Sequence, residues 1–333
     1  MVMTKDVFKI LEKKYVQNLF ERKKNFYFPS LKNKKILKVQ IKKKTPDWVK
    51  ESCLASYKIS FSDSTTKVVW ATAKIGESKK RAFETLNHLY NKRFNKGFFQ
   101  VPRPLDYIRE PNAFFYQEVK GDSLELLLEK KKLAPVLFKR LAEFLFQIHS
   151  LDFKGIKART LGIKDYKECF EELKKLTPSC RSLPPPLKKI TFLEKLNKGD
   201  CFVHGDFYPS NIIIGQNKLF LIDFDKAGKG NFLLDLLSFY FWFDLPKIKP
   251  LKLSSEEIRK YRDTFLMHYC QLSNLNFPEI KAQLKKFKIK IFLNCLHYVT
   301  FRALRGWRQI DQNLRSEFTK TFKILLKKIN QSF

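Results

Sequence analysis

Residues 201–225 read CFVHGDFYPSNIIIGQNKLFLIDFD. Two apolar runs, Cys201–Val203 with Ile212–Ile214 and Leu219–Ile222, read as short strands, because each is brief, rich in β-branched or aromatic residues and bounded by polar turn residues. Between them lies a loop holding His204-Gly205-Asp206, with Asn211 five positions after the aspartate. The last strand ends in Asp223-Phe224-Asp225, so Asp223 follows Asn211 by twelve residues.

Transfer of a phosphoryl group from ATP needs an acidic residue to orient the attacking hydroxyl and take its proton, oxygen ligands to hold Mg²⁺ on the phosphates, and a lysine to brace them. The kinase catalytic loop H-R-D-x-x-x-x-N sets its Asp and Asn five apart and is followed by a metal-binding Asp at a strand end. The same spacing is present here. A lone His-Gly-Asp arises often by chance, and His204 reads as a hydrogen-bonded organiser of the loop. The combination with Asn211 and Asp223 is far harder to obtain by accident.

On these residues the chain resembles the aminoglycoside phosphotransferase/choline kinase family, whose pattern is H-G-D-x-x-x-x-N followed by an apolar strand and [I/L]-D-[W/F]-[D/E]. Leu141–His149 resembles that family's helix ending in Leu-His. Asp225-Lys226-Ala227-Gly228 with Leu234-Asp235-Leu236 resembles its D-x-A-G…D-L-A stretch, and Tyr116–Gly121 resembles its hinge. The resemblance spans about residues 36–240 and is most specific over 201–240. It implies an α+β, protein-kinase-like bilobal fold with a small β-rich N-lobe and a larger, mainly helical C-lobe. It also implies ATP and Mg²⁺ as cofactors, with a nucleotide and a small-molecule hydroxyl acceptor as binding partners.

Carried over position by position, the resemblance makes Asp206 the catalytic base and Asn211 and Asp223 the metal ligands. Lys74, at a strand end, would contact the α/β-phosphates, with Lys67 as competitor, and Glu84 would pair with Lys74. Gln117 and Val119 would offer backbone groups to the adenine, and Asp235 would support the catalytic loop. Asp225 is either a second metal contact or a turn cap, and His149 is a packing histidine. Residues 57–74 contain no glycine, which departs from a Gly-rich phosphate loop. Ser62, in the turn Ser62–Thr66, is expected to approach the phosphates instead.

Apolar spacing at Val7, Ile10, Leu11, Tyr15 and Leu19 predicts a basic amphipathic helix over 6–24. Strands are expected at 36–41, 54–61, 68–75, 105–109 and 113–119, and a helix capped by Ser78 at 79–92. Helices are expected at 124–130, 134–150 and 165–176, and then over about 231–243 and 255–330. The implied organisation is a basic N-terminal helical extension (1–34), an N-lobe (35–119), a hinge (120–123) and a helical C-lobe (124–333) with acceptor-binding helices over 244–333.

Lys and Arg number 66 against 33 Asp and Glu, a formal net charge of +33. Such an excess points to anionic partners. Lysine and phenylalanine (33 residues) are also both encoded by A/T-only codons, so composition bias accounts for part of it. No RNP-like strand, zinc finger or basic zipper accompanies the charge, so nucleic acid is a poor candidate partner. Peripheral contact of the N-terminal helix with an anionic membrane is the alternative use of the charge. No two of the six cysteines fall at C-x-x-C spacing, and their scatter through apolar stretches suits reduced thiols. The N-terminus lacks the apolar core of a secretory signal and the apolar stretch 231–246 is too short to span a bilayer, so a cytoplasmic protein is expected.

For the acceptor, a polycation calls for a carboxylate-rich pocket and choline for an aromatic cage. The segment 281–310 is rich in Lys and Arg instead. Arg302, Arg305 and Arg308 recur every three residues near one helix face, with Trp307 adjacent in sequence. These residues point to a neutral or anionic, sugar-like acceptor. A lipid-linked acceptor at a membrane and a non-catalytic basic scaffold are the rival readings. The intact Asp206, Asn211 and Asp223 argue against the scaffold.

Overall fold

The computed structural model describes residues 7–46, 49, 51–75, 79–130, 132–152, 157–176, 187–246, 251–306 and 312–330. The chain divides into two compact units, one comprising residues 1–121 with 213–225, the other 122–212 with 226–333.

The first unit is built on a five-stranded antiparallel sheet. Its strands are β1 (Ile36–Lys43), β2 (Ser52–Phe61), β3 (Thr66–Lys74), β5 (Pro104–Ile108) and β6 (Ala113–Gln117), in the order β1-β2-β3-β6-β5. Alternation decides which face is buried: Cys53, Ala55, Tyr57, Ile59 and Phe61 of β2 point inward with Val69, Ala71 and Ala73 of β3. The expected 6–24 helix is split into a 3₁₀ turn, Val7–Leu11, and α1 (Lys13–Tyr27). Its apolar side is spent on this sheet. Val7, Ile10, Val16, Leu19 and Phe20 are buried in the same core, the Phe20 ring lies 5.2 Å from that of Tyr57, and the Tyr57 hydroxyl donates to the Ile10 carbonyl at 2.8 Å.

Helix α2 (Lys80–Lys92) follows β3 and buries Ala82, Leu86 and Leu89; Ser78, the expected cap, lies outside the described residues, and Lys79 occupies the N-cap. Strand β4 (Phe99–Gln100), too short to show a sequence pattern, pairs in parallel with Leu219 and Phe220 of a later strand. Gly121 ends this part of the unit at φ +144°, and a Cβ there would lie 2.3 Å from the Ile214 carbonyl oxygen. Only glycine permits that approach.

The second unit opens with β7 (Asp122–Ser123) and α3 (Leu124–Lys130), and continues with α4 (Pro135–His149) and α5 (Ile163–Leu176). Strand β8 (Cys201–Val203) leads into the loop that holds His204, Gly205 and Asp206. The β9 (Ile212–Ile214) and β10 (Leu219–Leu221) strands follow and lie side by side in one sheet. From Ile213 to Asp225 this stretch belongs to the first unit. Strand β11 (Gly228–Gly230), not expected from sequence, pairs antiparallel with β8. Helices α6 (Leu233–Trp242), α7 (Ser255–Leu272), α8 (Phe277–Phe287), α9 (Ile289–Gly306) and α10 (Gln312–Asn330) complete the second unit. Every residue of α6 is buried, which accounts for the apolar stretch noted in the sequence. Among the described residues no helix is long and apolar enough to cross a membrane.

Helix α7 starts with a capping box between Ser254 and Glu257 and packs on α4, where the Phe138 and Tyr261 rings stack at 4.2 Å. Lys290 of α9 is buried. Its ammonium donates to the Leu161 carbonyl at 2.9 Å, and burial pushes it down to about 8 against the pull of Asp165. Cys53, Cys169 and Cys270 are free and buried, and burial pushes each thiol up to about 11.

Two outcomes follow from this packing. Gly121→Ala should lower stability by about 2 kcal/mol or more in denaturant titration, because the clash is with backbone. Lys290 binds its proton less tightly folded than unfolded. Stability should therefore rise as pH increases from about 8 towards 10, the window between the two states' values. Lys290→Met should flatten that rise in melts recorded across the window.

Candidate active site

The loop between β8 and β9 is shaped from beneath by one carboxylate. Asp235, on the first turn of α6, is fully buried. Its Oδ2 accepts the His204 N–H at 2.7 Å and its Oδ1 the Gly205 N–H at 2.8 Å. The same Oδ2 meets His149 Nε2 at 3.0 Å, and His149 Nδ1 lies 2.7 Å from the Tyr269 hydroxyl. His149 is thus the packing histidine expected from sequence, and its partners give it a definite role, closing one side of the Asp235 carboxylate. Gly205 sits at φ +77°, where a Cβ would come within 2.8 Å of the Lys226 carbonyl. The His-Gly-Asp glycine is therefore a steric requirement. Phe207, next after Asp206, is buried against Phe239 and Phe265 and anchors the loop from the other side.

With the backbone held, Asp206 is left partly accessible. Its carbonyl accepts the Tyr208 N–H at 2.7 Å and the Asn211 side-chain amide at 2.9 Å. Asn211 Nδ2 is thereby spent within the loop, and its amide oxygen is the donor atom it has to offer a cation. The Asp206 carboxylate meets Lys226, whose ammonium lies 2.8 Å from Oδ1. Lys226 was not singled out from sequence, and nothing among 66 basic residues marks it except its place directly after Asp225. Tyr208 is half-buried, and desolvation with the nearby Asp206 charge raises its phenol well above the usual range.

The first unit carries the other predicted groups. Asp223 has φ +65° and an exposed side chain at the end of the segment leaving β10. Asp225 forms an ion pair with Lys79, which is only 5% exposed. Asp225 thus has a cationic partner, a role beyond capping a turn. Lys79 is a second residue that sequence reasoning missed, because it lies before a helix and not on a strand. Its backbone N–H donates to Asn112 Oδ1 at 3.1 Å, while Asn112 Nδ2 donates to the Lys74 carbonyl at 2.6 Å, so one asparagine ties the end of β3 to the start of α2. Tyr116 is raised by burial and by the charges of Asp223 and Asp225.

Three expectations are corrected or redirected. Ser62 does not come near Lys74: the two sit at opposite ends of β3, whose eight residue steps from Thr66 to Lys74 span about 26 Å, and the Ser62 hydroxyl accepts the Lys35 N–H at 3.2 Å. The segment at the Lys74 end is the β1–β2 connection, since Ser52 pairs with Lys74. Glu84 pairs with Lys80 at 3.5 Å on an exposed face of α2, one turn along the same helix, in place of Lys74. Gln117 closes the β6 ladder, its N–H donating to the Arg103 carbonyl at 2.9 Å, which leaves the carbonyl as the group it can offer; Val119 follows the Glu118 N–H bond to Val68. Arg302 and Arg305 fall within α9, and Trp307 lies outside the described residues.

Replacing Asp235 by Asn removes one acceptor and presents an N–H₂ to a backbone donor in a fully buried site. Asp235→Asn should cost about 3 kcal/mol in urea titration and reduce phosphoryl transfer together with it.

Comparison with known structures places this architecture. The chain covers 96% of its length on 95% of a choline kinase from Cryptosporidium parvum Iowa II, with a TM-score of 0.64 and 13% identity. An aminoglycoside phosphotransferase, APH(4)-Ia, in a ternary complex with ADP and hygromycin B is similar at a TM-score of 0.58 and 14% identity, over 93% of this chain and 97% of that one. The amicoumacin kinase hAmiN, in complex with AMP-PNP, Ca²⁺ and amicoumacin, follows at 0.55 and 14%, over 95% and 96%. These likenesses establish a kinase-like α+β fold. None of the curated proteins is similar enough in sequence to match. A family model described as "Phosphotransferase enzyme family" matches residues 67–270, which takes in β3, α2, the Asp206 loop, Asp223, Asp225 and Asp235. With more than half of its length matched and the loop built as its motif requires, this chain belongs to the phosphotransferase enzyme family.

Proposed function

We propose that the protein transfers the γ-phosphoryl group of ATP, with Mg²⁺, to a hydroxyl of a small molecule, and that the acceptor is neutral or anionic and sugar-like. The observation that carries this reading is the Asp206 loop, whose backbone is fixed by Asp235 while its carboxylate stays partly accessible. In the reaction Asp206 accepts the proton of the acceptor hydroxyl as its oxygen bonds to phosphorus and the bond to the ADP oxygen breaks. No covalent enzyme intermediate is needed, so positioning and charge carry the catalysis.

Asn211 and Asp223 offer an amide and a carboxylate oxygen, the hard donors that Mg²⁺ takes. The Asn211 amide, whose nitrogen is spent on the Asp206 carbonyl, and the exposed Asp223 carboxylate fit that use. When bound, the ion would neutralise charge on the phosphates. Lys74 and Lys79 are the candidate phosphate-bracing cations, and the Gln117 carbonyl and Val119 are the candidate adenine contacts. ADP and AMP-PNP in the similar structures support ATP as donor. The acceptors named for those relatives, hygromycin B and amicoumacin, are theirs and do not carry over at 14% identity.

The test is transfer of labelled γ-phosphate from Mg-ATP into a metabolite extract. A labelled small molecule should appear with the wild type and fall roughly 10³-fold with Asp206→Asn, and chelation of Mg²⁺ should abolish it. If the wild type labels nothing and does not bind Mg-ATP, the reading is wrong.

A further inference from the structure

Residues 157–159 run beside the chain that leaves the active-site loop. Lys157 and Lys229 form a parallel bridge, the Ala158 N–H donates to the Lys229 carbonyl at 2.7 Å, and the Arg159 N–H donates to the Lys226 carbonyl at 3.0 Å. That Lys226 carbonyl is the same group against which Gly205, the residue before Asp206, packs without room for a Cβ. The pairing therefore gathers Lys157, Arg159, Lys226 and Lys229 on a short stretch of backbone adjoining the base. Asp200 answers Lys229 from 3.8 Å while almost fully in water, where such a pair is worth little.

Lys226 bears directly on the chemistry. Its ammonium holds Asp206 Oδ1, the atom class that must receive the hydroxyl proton, and half of the lysine side chain is exposed. A cationic acceptor would have to bring positive charge next to this ammonium. An acceptor with a phosphate beside its hydroxyl offers Lys226 a more highly charged partner than a single carboxylate does. Drawing the lysine off leaves Asp206 open to the hydroxyl. Two carboxylates of this unit that could have answered a polycation are already paired. Asp244 is bound by Arg262 at 3.0 Å and Lys288 at 2.7 Å, and Asp263 by Lys281 at 2.8 Å and the Tyr240 hydroxyl at 2.7 Å.

We propose that Lys226, with Arg159 beside it, forms an anion subsite that selects a phosphorylated hydroxyl compound, such as a sugar or polyol phosphate, as the acceptor. This rests on the phosphotransferase reading with Asp206 as base.

The experiment measures acceptor binding by calorimetry to the full chain loaded with Mg²⁺ and a non-hydrolysable ATP analogue. The probes are glucose 6-phosphate against glucose, glycerol 3-phosphate against glycerol, and choline as the cation. The phosphate ester of at least one pair should bind roughly tenfold or more tighter than its neutral partner, the size of one charge-assisted contact. Lys226→Ala should bring that ratio near one, Lys226→Arg should keep it, and Lys226→Glu should reverse it. Equal binding of both members, preference for choline, no binding of any ester at millimolar concentration, or an unchanged ratio in Lys226→Ala would each overturn the subsite. Failure of the wild type to bind the Mg²⁺-nucleotide at all is separately visible and would remove the underlying phosphotransferase reading as well.

Discussion

The Asp235 carboxylate is the point on which the catalytic loop depends. A fully buried anion is tolerated only where its oxygens are paired, and here two backbone N–H groups and the His149 ring supply the pairing. The cost of burying the charge is offset only when His204 and Gly205 present their amides in one conformation. Charge burial thereby becomes conformational specificity for the residue that follows, Asp206. Around this anion α4 contributes His149, α6 contributes Asp235 and α7 contributes Tyr269, so the loop reports on the packing of three helices that are far apart in sequence.

The excess of positive charge has a visible consequence in the packing. With half as many carboxylates as basic residues, several lysines lie over aromatic faces: Lys288 over Phe241 and Phe292, Lys281 over Phe277, and Lys44 over Trp70. Each such contact is worth a fraction of a salt bridge's gross attraction but desolvates less. The chain's two over-used residue types, lysine and phenylalanine, thus serve one another. In the first unit the same economy governs the N-terminal segment. Its basic side remains outward, while Val16, Leu19 and Phe20 fill the space over Tyr57 and Phe115. The amphipathic pattern that suits a membrane surface equally suits a sheet, and the aromatic face of β2 and β6 supplied the sheet.

Much of the architecture was legible. The strands β1, β2, β3, β5 and β6 and the helices α2 to α6 were expected within a few residues, because period-two and period-3.6 patterns are local properties. The short strands β4 and β11 were not: β4 has two residues and β11, Gly-Lys-Gly, no apolar one, so neither marks itself locally, and both form only because distant chain offers a partner. The split of the first helix at Glu12 was likewise invisible: the apolar spacing runs through it, and the break reflects how Ile10 and Val16 must both reach the core.

The sequence by itself set Asp206, Asn211 and Asp223 at spacings that little else would require, and the family resemblance drawn from it gave Asp235 a supporting place beneath the loop. The tertiary structure alone decided which cations serve which anions. Lys79 was found against Asp225, Lys226 against Asp206 and Lys80 against Glu84, whereas Ser62 proved to be a strand-length from Lys74. The physical reason is that backbone pattern is encoded by neighbours along the chain, while the partner of a long, flexible lysine is set by which backbones the fold brings together. Among 66 basic residues, no local pattern distinguishes the lysine at the base from the lysines in water.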